Sequence, residues 1–432
     1  MLRALKNRDY RLLFSGQAVS YVGDQFHLVA LPWLVLTLTR DPLQLGFVLA
    51  AAGIPRAALM LVGGAWADRF SPRTIMLVSD TMRALVTLAL VAAIASGHAQ
   101  MWMVYGLAVA FGVVSGFFMP AAEAAVPRLL PDPDLESGNS LIMGSSQIAG
   151  FVGPVIAGTM IAWLGGAAHG GTASLMGLAI AFGVDGVSFL VSAVTLALIR
   201  PLPALGSRDS HPLADVVEGL RFVATHPMLR LLVLVIALAN FFVMGPMFVG
   251  VPVLAATRYA EGMAAFGFIV SAYALGSLVG MICVGTLPRL PDRAFTVVAV
   301  GTFALFAVAY AALGVVGSAW VAAALMLVTG FGNGYMAVLV ITALQRIAPR
   351  EMLGRVMSLV VLAMVGLGPI SQALSGALIK ISVQGLFAAA GIGMALVGLL
   401  VFAQRHHWVF PPAEESTGGE ADATAVAELD AA

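Results

Sequence analysis

Cysteine and charge are the two things that this sequence has little of. One cysteine in 432 residues, Cys283, excludes an internal disulfide and any cysteine-cluster metal site. Charged residues make up 10% of the chain and the formal net charge is zero, so no basic excess points to a nucleic-acid partner. Apolar residues reach 60%, well above the fraction found in soluble domains. This composition predicts a multi-pass membrane protein.

Apolar runs long enough to cross a bilayer as a helix recur twelve times along the chain. We place these spans near residues 12–38, 43–66, 74–97, 101–126, 139–164, 174–198, 229–256, 263–286, 294–316, 319–345, 355–380 and 386–404. Turn sequences rich in Pro, Gly and Asp separate them. The first span is too long for a signal-peptide core, so we expect no cleavable signal.

The distribution of basic residues predicts the orientation. If the N-terminus is cytoplasmic, 17 of the 22 Lys and Arg fall at cytoplasmic ends or loops and three fall outside, while Arg56 and Arg83 lie within spans. The opposite orientation would invert this ratio, against the positive-inside rule. We therefore expect both termini on the cytoplasmic side of the cell membrane.

The longest loop divides the chain into two parts. We expect an N-terminal six-helix bundle over 1–198, a cytoplasmic linker over 199–228, a C-terminal bundle over 229–405 and a tail over 406–432. The linker contains an amphipathic segment, DVVEGLRFV, which is expected to lie along the membrane surface. The acidic, Ala/Gly-rich tail is expected to be a disordered cytoplasmic segment.

The two parts repeat one pattern. A shift of 218 residues superposes eight residues of the first half on identical residues of the second: Gly112, Gly116, Arg128, Pro131, Leu135, Ser140, Leu141 and Gly158 fall on Gly330, Gly334, Arg346, Pro349, Leu353, Ser358, Leu359 and Gly376. A shift of 221 places Gly46 on Gly267. This ordered series predicts an all-α membrane protein of twelve transmembrane helices in two pseudo-symmetric six-helix bundles, as in transporters with their site between the halves.

The segment between spans two and three, VGGAWADRFSPR, carries a resemblance to the major facilitator superfamily. Gly64, Asp68, Arg69 and Arg73 match the loop signature of that superfamily. Three more stretches resemble its drug–proton antiporter branch, which contains macrolide and siderophore exporters: LKNRDYRLLFSGQAVSYVGD, FGVDGVSFLVSA and LQRIAPREMLGRVMSL. The resemblance implies that the loop locks the two halves together at the cytoplasmic side. The alternative is a basic anchor without a gating role.

A second motif, GFVGPVIAG, lies in span five. Gly150, Gly153, Pro154 and Gly158 resemble the antiporter signature of the superfamily, which would imply a hinge and export. Ala149 and Ala157 depart from it, because the signature prefers glycine there. Small residues also allow close helix packing without any hinge, so both interpretations stay open.

Three ionisable residues, Asp24, Arg56 and Asp185, lie deep within their spans. Each would cost roughly 2.5–3.5 kcal/mol if it faced lipid, so we expect them to face water or one another. Asp24 and Arg56 lie at similar depth on neighbouring spans and are predicted to interact. In this superfamily spans one, four, seven and ten line the cavity and span six belongs to the outer scaffold. Asp24 thus outranks Asp185 as a proton-coupling candidate, and for Asp185 we favour a structural acid over a coupling role.

Glu123, in the inner part of span four, is the other proton-coupling candidate. A buried carboxylate takes up a proton more readily than an exposed one, which suits coupling. Asp80 and Arg83, placed near the cytoplasmic end of span three, are expected to form a local ion pair because of their i, i+3 spacing. His27 is expected to be a hydrogen-bonded side chain that faces the cavity rather than a titrating group.

The cavity candidates are polar or adaptable side chains on spans one, seven and ten. Gln17, Ser20, Asp24 and His27 form one polar stripe on span one. In the second half, Met and aromatic side chains suit a bulky apolar ligand, with ordinary helix packing as the alternative. The full set is Gln17, Ser20, His27, Asn240, Met244, Asn333 and Tyr335.

Together these features favour a secondary active transporter that exports a small amphipathic or lipophilic molecule, drug-like, macrolide-like or siderophore-like, by proton antiport. An importer, a uniporter or a lysolipid carrier of the same fold is the alternative, and a receptor or an intramembrane enzyme is the least favoured class. The sequence contains no P-loop, HExxH or GxSxG motif, so we expect no cofactor, no metal and no enzyme activity. Expected partners are protons, the substrate and the bilayer; the fold usually acts as a monomer.

Overall fold

The computed structural model describes residues 3–164, 175–202, 212–286, 292–347 and 352–407. The side chains of residues 61–69, 212–217, 219, 285, 292–294, 346 and 353–355 lie outside that description, as does most of the predicted tail. Within the described ranges the chain forms helices and turns, and no strand. An all-α fold, as predicted, is confirmed.

Fifteen α-helices occur in the described part of the chain. They are α1 (Arg8–Thr39), α2 (Pro42–Arg69), α3 (Pro72–Ala95), α4 (Met101–Leu129), α5 (Asp132–Leu164), α6 (Leu175–Leu198), α7 (Pro212–Thr225), α8 (Pro227–Gly245), α9 (Val251–Thr257), α10 (Met263–Thr286), α11 (Asp292–Leu313), α12 (Ala319–Ile347), α13 (Leu353–Val365), α14 (Gly368–Ile381) and α15 (Val383–Ala403). We call the end of the bundle at which α1 begins the N-terminal side, and the opposite end the far side.

Twelve helical segments are long and apolar enough to cross a membrane, which confirms the predicted number of spans. Two of them are not continuous α-helices. Span seven contains a π-helical turn, Pro246–Gly250, between α8 and α9, and span eleven is interrupted between α13 and α14. Pro246 has no N–H to donate, which interrupts the regular helical pattern. The Ser371 hydroxyl compensates locally: it accepts from the Gly245 N–H at 2.9 Å and donates to the Phe241 carbonyl.

The linker contains a helix of its own. α7 covers the amphipathic segment predicted from the sequence and contacts α8, α13 and the end of α2 on the N-terminal side. Val223, near its end, is buried together with residues of the second half. The linker is therefore packed on the bundle where it is described; its expected position on the membrane surface stays a prediction.

Glycines matched by the internal repeat make close helix contacts within each half. A Cβ at Gly112 of α4 would overlap the Ala52 carbonyl of α2, and one at Gly330 of α12 would overlap the Tyr273 carbonyl of α10. Ala52 and Tyr273 are themselves related by the shift of 221 seen for Gly46 and Gly267. The same backbone approach is thus built twice, once in each half.

The two halves meet at two equivalent contacts near the far side. A Cβ at Gly158 of α5 would lie 2.8 Å from the Met263 carbonyl oxygen and 3.3 Å from the Gly267 Cα of α10. A Cβ at Gly376 of α14 would lie 2.7 Å from the Pro42 carbonyl oxygen and 3.3 Å from the Gly46 Cα of α2. Because only glycine permits such approach, these four positions hold the halves together on the far side.

One ion pair reinforces the contact between α2 and α14. Lys380 Nζ lies 3.0 Å from Asp41 Oδ2, while Asp41 Oδ1 accepts the Leu43 N–H at 2.9 Å. Partial burial disfavours the charged carboxyl, but the hydrogen bonds from Lys380 and Leu43 and the charge of Lys380 outweigh it. The pKa of Asp41 consequently lies below its ordinary value.

We expect Lys380→Met to weaken closure of the far side by less than about 1 kcal/mol, because Lys380 is 47% exposed and solvent screens the pair. Since the pKa of Asp41 is lowered, the contribution is complete above the ordinary carboxyl pKa of about 3.9 and fades as the pH falls through the lower value. Melting temperatures of both proteins at neutral and strongly acidic pH measure this difference. Lys6→Met, at the exposed N-terminal side, is the control; an equal effect of both changes would contradict the assignment.

Candidate functional site

The middle of the first half contains a cluster of charged side chains from α1, α2, α3 and α6. Its first pair joins helices that are far apart in sequence: His27 Nδ1 of α1 lies 3.1 Å from Asp185 Oδ2 of α6. The Asp185 side chain is completely buried, whereas His27 retains 14% exposure. Oδ1 of Asp185 has no hydrogen-bond partner among the described residues. A buried carboxylate with one imidazole partner is a site that can bind a proton.

Aromatic rings fix the His27 imidazole. The Phe111 ring of α4 stacks on it with centroids 4.5 Å apart, and the Phe182 ring of α6 meets it edge-on at 5.5 Å. Close approach of α1 and α6 is possible because residue 23 is glycine; any Cβ there would overlap the Ser188 side chain. The sequence predicted a hydrogen-bonded His27, and the structure shows Asp185 as its partner.

A second charge pair lies on α3. Arg83 Nη1 is 3.7 Å from Asp80 Oδ1, which confirms the ion pair predicted from the i, i+3 spacing. The Ser192 hydroxyl of α6 donates to Asp80 Oδ2 at 2.6 Å, and Arg83 Nη2 donates to the Ser115 hydroxyl of α4 at 2.9 Å. Both charged side chains are buried. Arg83 is the twelfth residue of α3, so the pair lies at the centre of the helix. The sequence analysis had placed it near the end of the helix.

Three phenylalanine rings surround the Arg83 guanidinium. Its central carbon lies 4.6 Å from the centroid of Phe118, 5.4 Å from that of Phe189 and 5.9 Å from that of Phe111. Cation–π contact replaces part of the hydration that a buried guanidinium loses. Phe111 touches both His27 and Arg83, so the two charge pairs share one aromatic wall.

Asp24 and Arg56 complete the cluster. Asp24 is partly exposed and close enough to Asp185, Arg83, His27 and Arg56 for charge–charge interaction. Arg56 is exposed although it lies in the middle of α2, and it interacts electrostatically with Asp24 and Arg83. No N···O distance within 4.0 Å joins Asp24 to Arg56, both of which are described. The two side chains were predicted to interact, and the structure shows a longer-range electrostatic attraction rather than a direct ion pair.

Glu123 is exposed on α4, closer to the N-terminal side. Tyr21 of α1 links the two acidic candidates, because its phenol interacts electrostatically with both Asp24 and Glu123. Tyr21 and the three phenylalanines around Arg83 were not predicted from the sequence. The sequence did carry one signal for aromatic side chains on α6, the spacing of Phe182 and Phe189. Phe182 meets His27, and Phe189 meets Arg83.

The polar stripe of α1 is not uniformly exposed. Gln17 and Ser20 are 3% and 4% exposed and are covered by neighbouring helices, and the Gln17 side-chain oxygen lacks a partner among the described residues. Asp24 and His27 are partly exposed. The placement of Gln17 and Ser20 at a cavity therefore stays a prediction, and in this conformation both are inside the helix packing.

The cavity candidates of the second half are partly exposed. Asn240 of α8 donates to the Ile236 carbonyl of its own helix at 3.0 Å, which leaves its side-chain oxygen available. Met244 follows one turn later, next to Gly368 of α14. On α12, Tyr335 stacks with Phe331 at 6.1 Å, and Asn333 lies between them in sequence. None of these residues is charged, so the candidate residues of the second half are neutral whereas those of the first half include a charge cluster.

The gate motif lies on a helix end rather than in a loop. α2 continues through Arg69, and only Phe70 and Ser71 separate it from α3. The side chains of Gly64, Asp68 and Arg69 lie outside the described residues. Arg73 is described: its Nε and Nη2 donate to the Leu196 and Ala197 carbonyls at 2.9 and 2.7 Å. It thus caps the C-terminus of α6 within its own half, and the gating role of the motif stays a prediction.

The glycines of the span-five motif have separate environments. Gly153 packs on the Gln25 side chain of α1, and Pro154 and Gly158 pack on α10 across the halves. A Cβ at Gly150 would meet no atom within 4 Å. Close packing explains three of the four positions, and a hinge role for Pro154 stays a prediction.

Comparison with known proteins gives a consistent result. The multidrug efflux pump Tap of Mycolicibacterium fortuitum is 28% identical over 401 residues, which cover 90% of this chain and 94% of Tap. The enterobactin exporter EntS of Citrobacter koseri is 25% identical over 398 residues, 91% of this chain and 90% of EntS. The nucleoside transporter NupG shares the fold with a TM-score of 0.72 at 13% identity, covering 93% of this chain and all of NupG.

The sequence pattern of the Major Facilitator Superfamily matches residues 13–373. The predicted resemblance to drug and siderophore exporters of this superfamily is confirmed. The twelve spans, the family match and these relatives point to a multi-pass membrane transporter for a small molecule and not to an enzyme. The chain belongs to the Major Facilitator Superfamily.

Proposed function

We propose that this protein exports a small amphipathic or lipophilic molecule in exchange for protons, by alternating access between its two halves. The observation that carries the proposal is the charge cluster of the first half. Carboxylates at Asp24 and Asp185, an imidazole at His27 and guanidinium groups at Arg56 and Arg83 occupy the middle of the membrane-spanning region. Buried ionisable groups are costly there, and such groups commonly serve ion or proton pathways.

The composition of the two halves supports different roles: the second half contacts the lipophilic substrate and the first half holds the charges that bind the proton. Asn240, Met244 and Tyr335 offer an uncharged, adaptable surface, which suits a lipophilic substrate. Asp24 is partly exposed, so it can contact a substrate and also interact with the buried charges. Substrate and proton would then compete for one electrostatic environment, which is the requirement for exchange.

The far-side contacts support alternating access. Gly158 and Gly376 close the halves against each other on that side, so substrate would enter from the N-terminal side in this conformation. Because most Lys and Arg residues lie at helix ends and loops on the N-terminal side, we place that side in the cytoplasm. We propose that the protein acts in the cell membrane as a monomer. The direction of transport is then outward, as the names of Tap and EntS state for those proteins.

The test is transport by the purified protein in proteoliposomes. Tetraphenylphosphonium, erythromycin and a catecholate siderophore are the probes, with and without an imposed pH gradient. We expect Asp24→Asn to reduce gradient-driven accumulation by at least about tenfold, a magnitude typical of coupling between two sites. Glu123→Gln shows whether the second acid shares this role, and Glu136→Gln, an exposed acid on the N-terminal side, is the control. Gradient-driven accumulation that Asp24→Asn leaves unchanged would return Asp24 to a structural role, and flux that ignores the gradient in the unchanged protein would point to a uniporter.

A further inference from the structure

We propose that His27 and Asp185 form a single proton-binding site, and that this site carries the one proton exchanged in each transport cycle. The inference rests on the proposed proton antiport and specifies where the proton binds and how many are exchanged. The sequence had ranked both residues behind Asp24: His27 was expected to be a supporting contact, and Asp185 was the weaker coupling candidate because span six belongs to the outer scaffold.

The geometry of the pair suits a shared proton. Nδ1 of the imidazole lies 3.1 Å from Oδ2 of a carboxylate that is fully buried. Phe111 and Phe182 hold the ring in this orientation. The imidazole is the partly exposed member, so a proton reaches the carboxylate through the ring rather than directly from water. A proton on either partner keeps the hydrogen bond, which lets the pair gain or lose it without rearrangement.

The charge balance of the cluster indicates one bound proton. Asp24, Asp80 and Asp185 interact electrostatically with one another or with the same neighbours, and the fixed positive charges among them are Arg56 and Arg83. With all three carboxylates ionised and the imidazole neutral, the cluster has one negative charge too many. Because an uncompensated charge is costly at low dielectric, the cluster is neutral when it holds a single proton.

The environments of the three acids assign that proton. Asp80 has a fixed cation, Arg83 at 3.7 Å, and the Ser192 hydroxyl at 2.6 Å to compensate its charge. Asp24 is partly exposed, and the charges of Arg83 and Arg56 compensate it when it is ionised. Asp185 is as completely buried as Asp80, and in both residues Oδ1 lacks a hydrogen bond among the described residues. Asp185 differs because its ion-pair partner within 4.0 Å is the His27 imidazole rather than an arginine. The proton that neutralises the cluster therefore belongs to Asp185 and its imidazole.

Among the described side chains, the neighbouring helices add no other charged group at this depth. α1 contributes Asp24 beside His27, α2 contributes Arg56, and α3 contributes Asp80 and Arg83. α4 contributes the Phe111 ring, with Glu123 farther along and exposed. α5 meets α1 with Gly153, against the uncharged Gln25. The proton on the pair is thus controlled by Asp24 and by the two arginines.

This arrangement explains how substrate would release the proton. A lipophilic cation near Asp24 adds positive charge to a cluster that is neutral only with its proton bound. The added charge favours loss of the proton from the His27–Asp185 pair to water on the side to which Asp24 is open. No covalent bond changes; one proton leaves as one substrate binds.

The decisive experiment compares His27→Gln, Asp185→Asn and the unchanged protein in proteoliposomes, with tetraphenylphosphonium as the probe. We expect both variants to keep exchange of labelled for unlabelled probe in the absence of a gradient. We expect both to lose gradient-driven accumulation by at least about tenfold, as for separation of two coupled sites. His98→Gln, an exposed histidine in a far-side turn, should behave like the unchanged protein.

A second measurement needs no variant and therefore holds even if a substitution prevents folding. The probe gradient that just balances a known pH gradient gives the number of protons exchanged per cation in the unchanged protein; we expect one. A value of two, or full gradient-driven accumulation in His27→Gln, would overturn the inference while proton antiport stands. If the unchanged protein ignores the pH gradient, the proposed function fails and the inference fails with it.

Discussion

Arg83→Leu is expected to destabilise the protein by about 3–5 kcal/mol, since it removes one partner of a buried ion pair. Asp80 would keep its charge with only the Ser192 hydroxyl to compensate it, in a position with no exposure. The rings of Phe111, Phe118 and Phe189 would lose the cation that they surround. Denaturant unfolding of the purified protein in a fixed detergent measures the loss.

Two further variants separate charge from packing. Met82→Leu changes an exposed side chain one residue away and should stay within about 0.5 kcal/mol of the unchanged protein. Asp80→Asn combined with Arg83→Leu removes the orphaned charge and should recover at least half of the loss. A cost below about 1 kcal/mol for Arg83→Leu would mean that water or another group compensates Asp80, and that the cluster is wetter than the burial of its members implies.

Gly158→Ile is expected to prevent the halves from closing on the far side and to reduce transport strongly. The new side chain would meet the Met263 carbonyl and the Gly267 backbone, neither of which can move without separating α5 from α10. Overpacking costs about 1–3 kcal/mol, which opposes the closed state by a factor of about 5 to 150. Transport of tetraphenylphosphonium and labelling of a far-side cysteine report the two consequences.

The labelling needs a protein with one cysteine in a known position. Cys283→Ser removes the native thiol. Leu49→Cys introduces a thiol at a partly buried position in the part of α2 that lies toward the far side. A membrane-impermeant maleimide should label this cysteine faster when Gly158→Ile is present. Gly150→Ile on the same helix is the matched control, because a Cβ there meets nothing within 4 Å. Equal labelling in both variants would show that the Gly158 contact does not hold the closed state.

The architecture was predictable because every span is an apolar run and each half repeats the other. The glycines matched by the shifts of 218 and 221 predicted the repeat, and several of them lie at close helix contacts within and between the halves. The interruption of span seven was not predicted. Pro246 signalled a break, but the hydroxyl of Ser371, which compensates it, comes from a helix 125 residues later in the sequence.

The charge cluster was predictable only in part. Asp24, Arg56 and Asp185 were recognised by their depth, and Asp80 and Arg83 by their spacing on one helix. The partner of His27 could not be found in this way, because 158 residues separate it from Asp185 and only the packing of α1 on α6 joins them. The family's usual division into cavity and scaffold spans also directed attention away from Asp185.

The pairing of α1 with α6 has a consequence for how the chain enters the membrane during synthesis. The first helix brings Asp24 and His27 into the bilayer, but the carboxylate that completes their environment arrives only after four more helices have been made. Until then α1 carries polar groups that lipid solvates poorly, so it must stay beside the insertion machinery or other polar surroundings. The helices of the second half carry their charged residues at or near their ends. Each of these helices can therefore enter the lipid separately. We expect the first six helices to insert together and more slowly, because their polar groups are solvated only by one another.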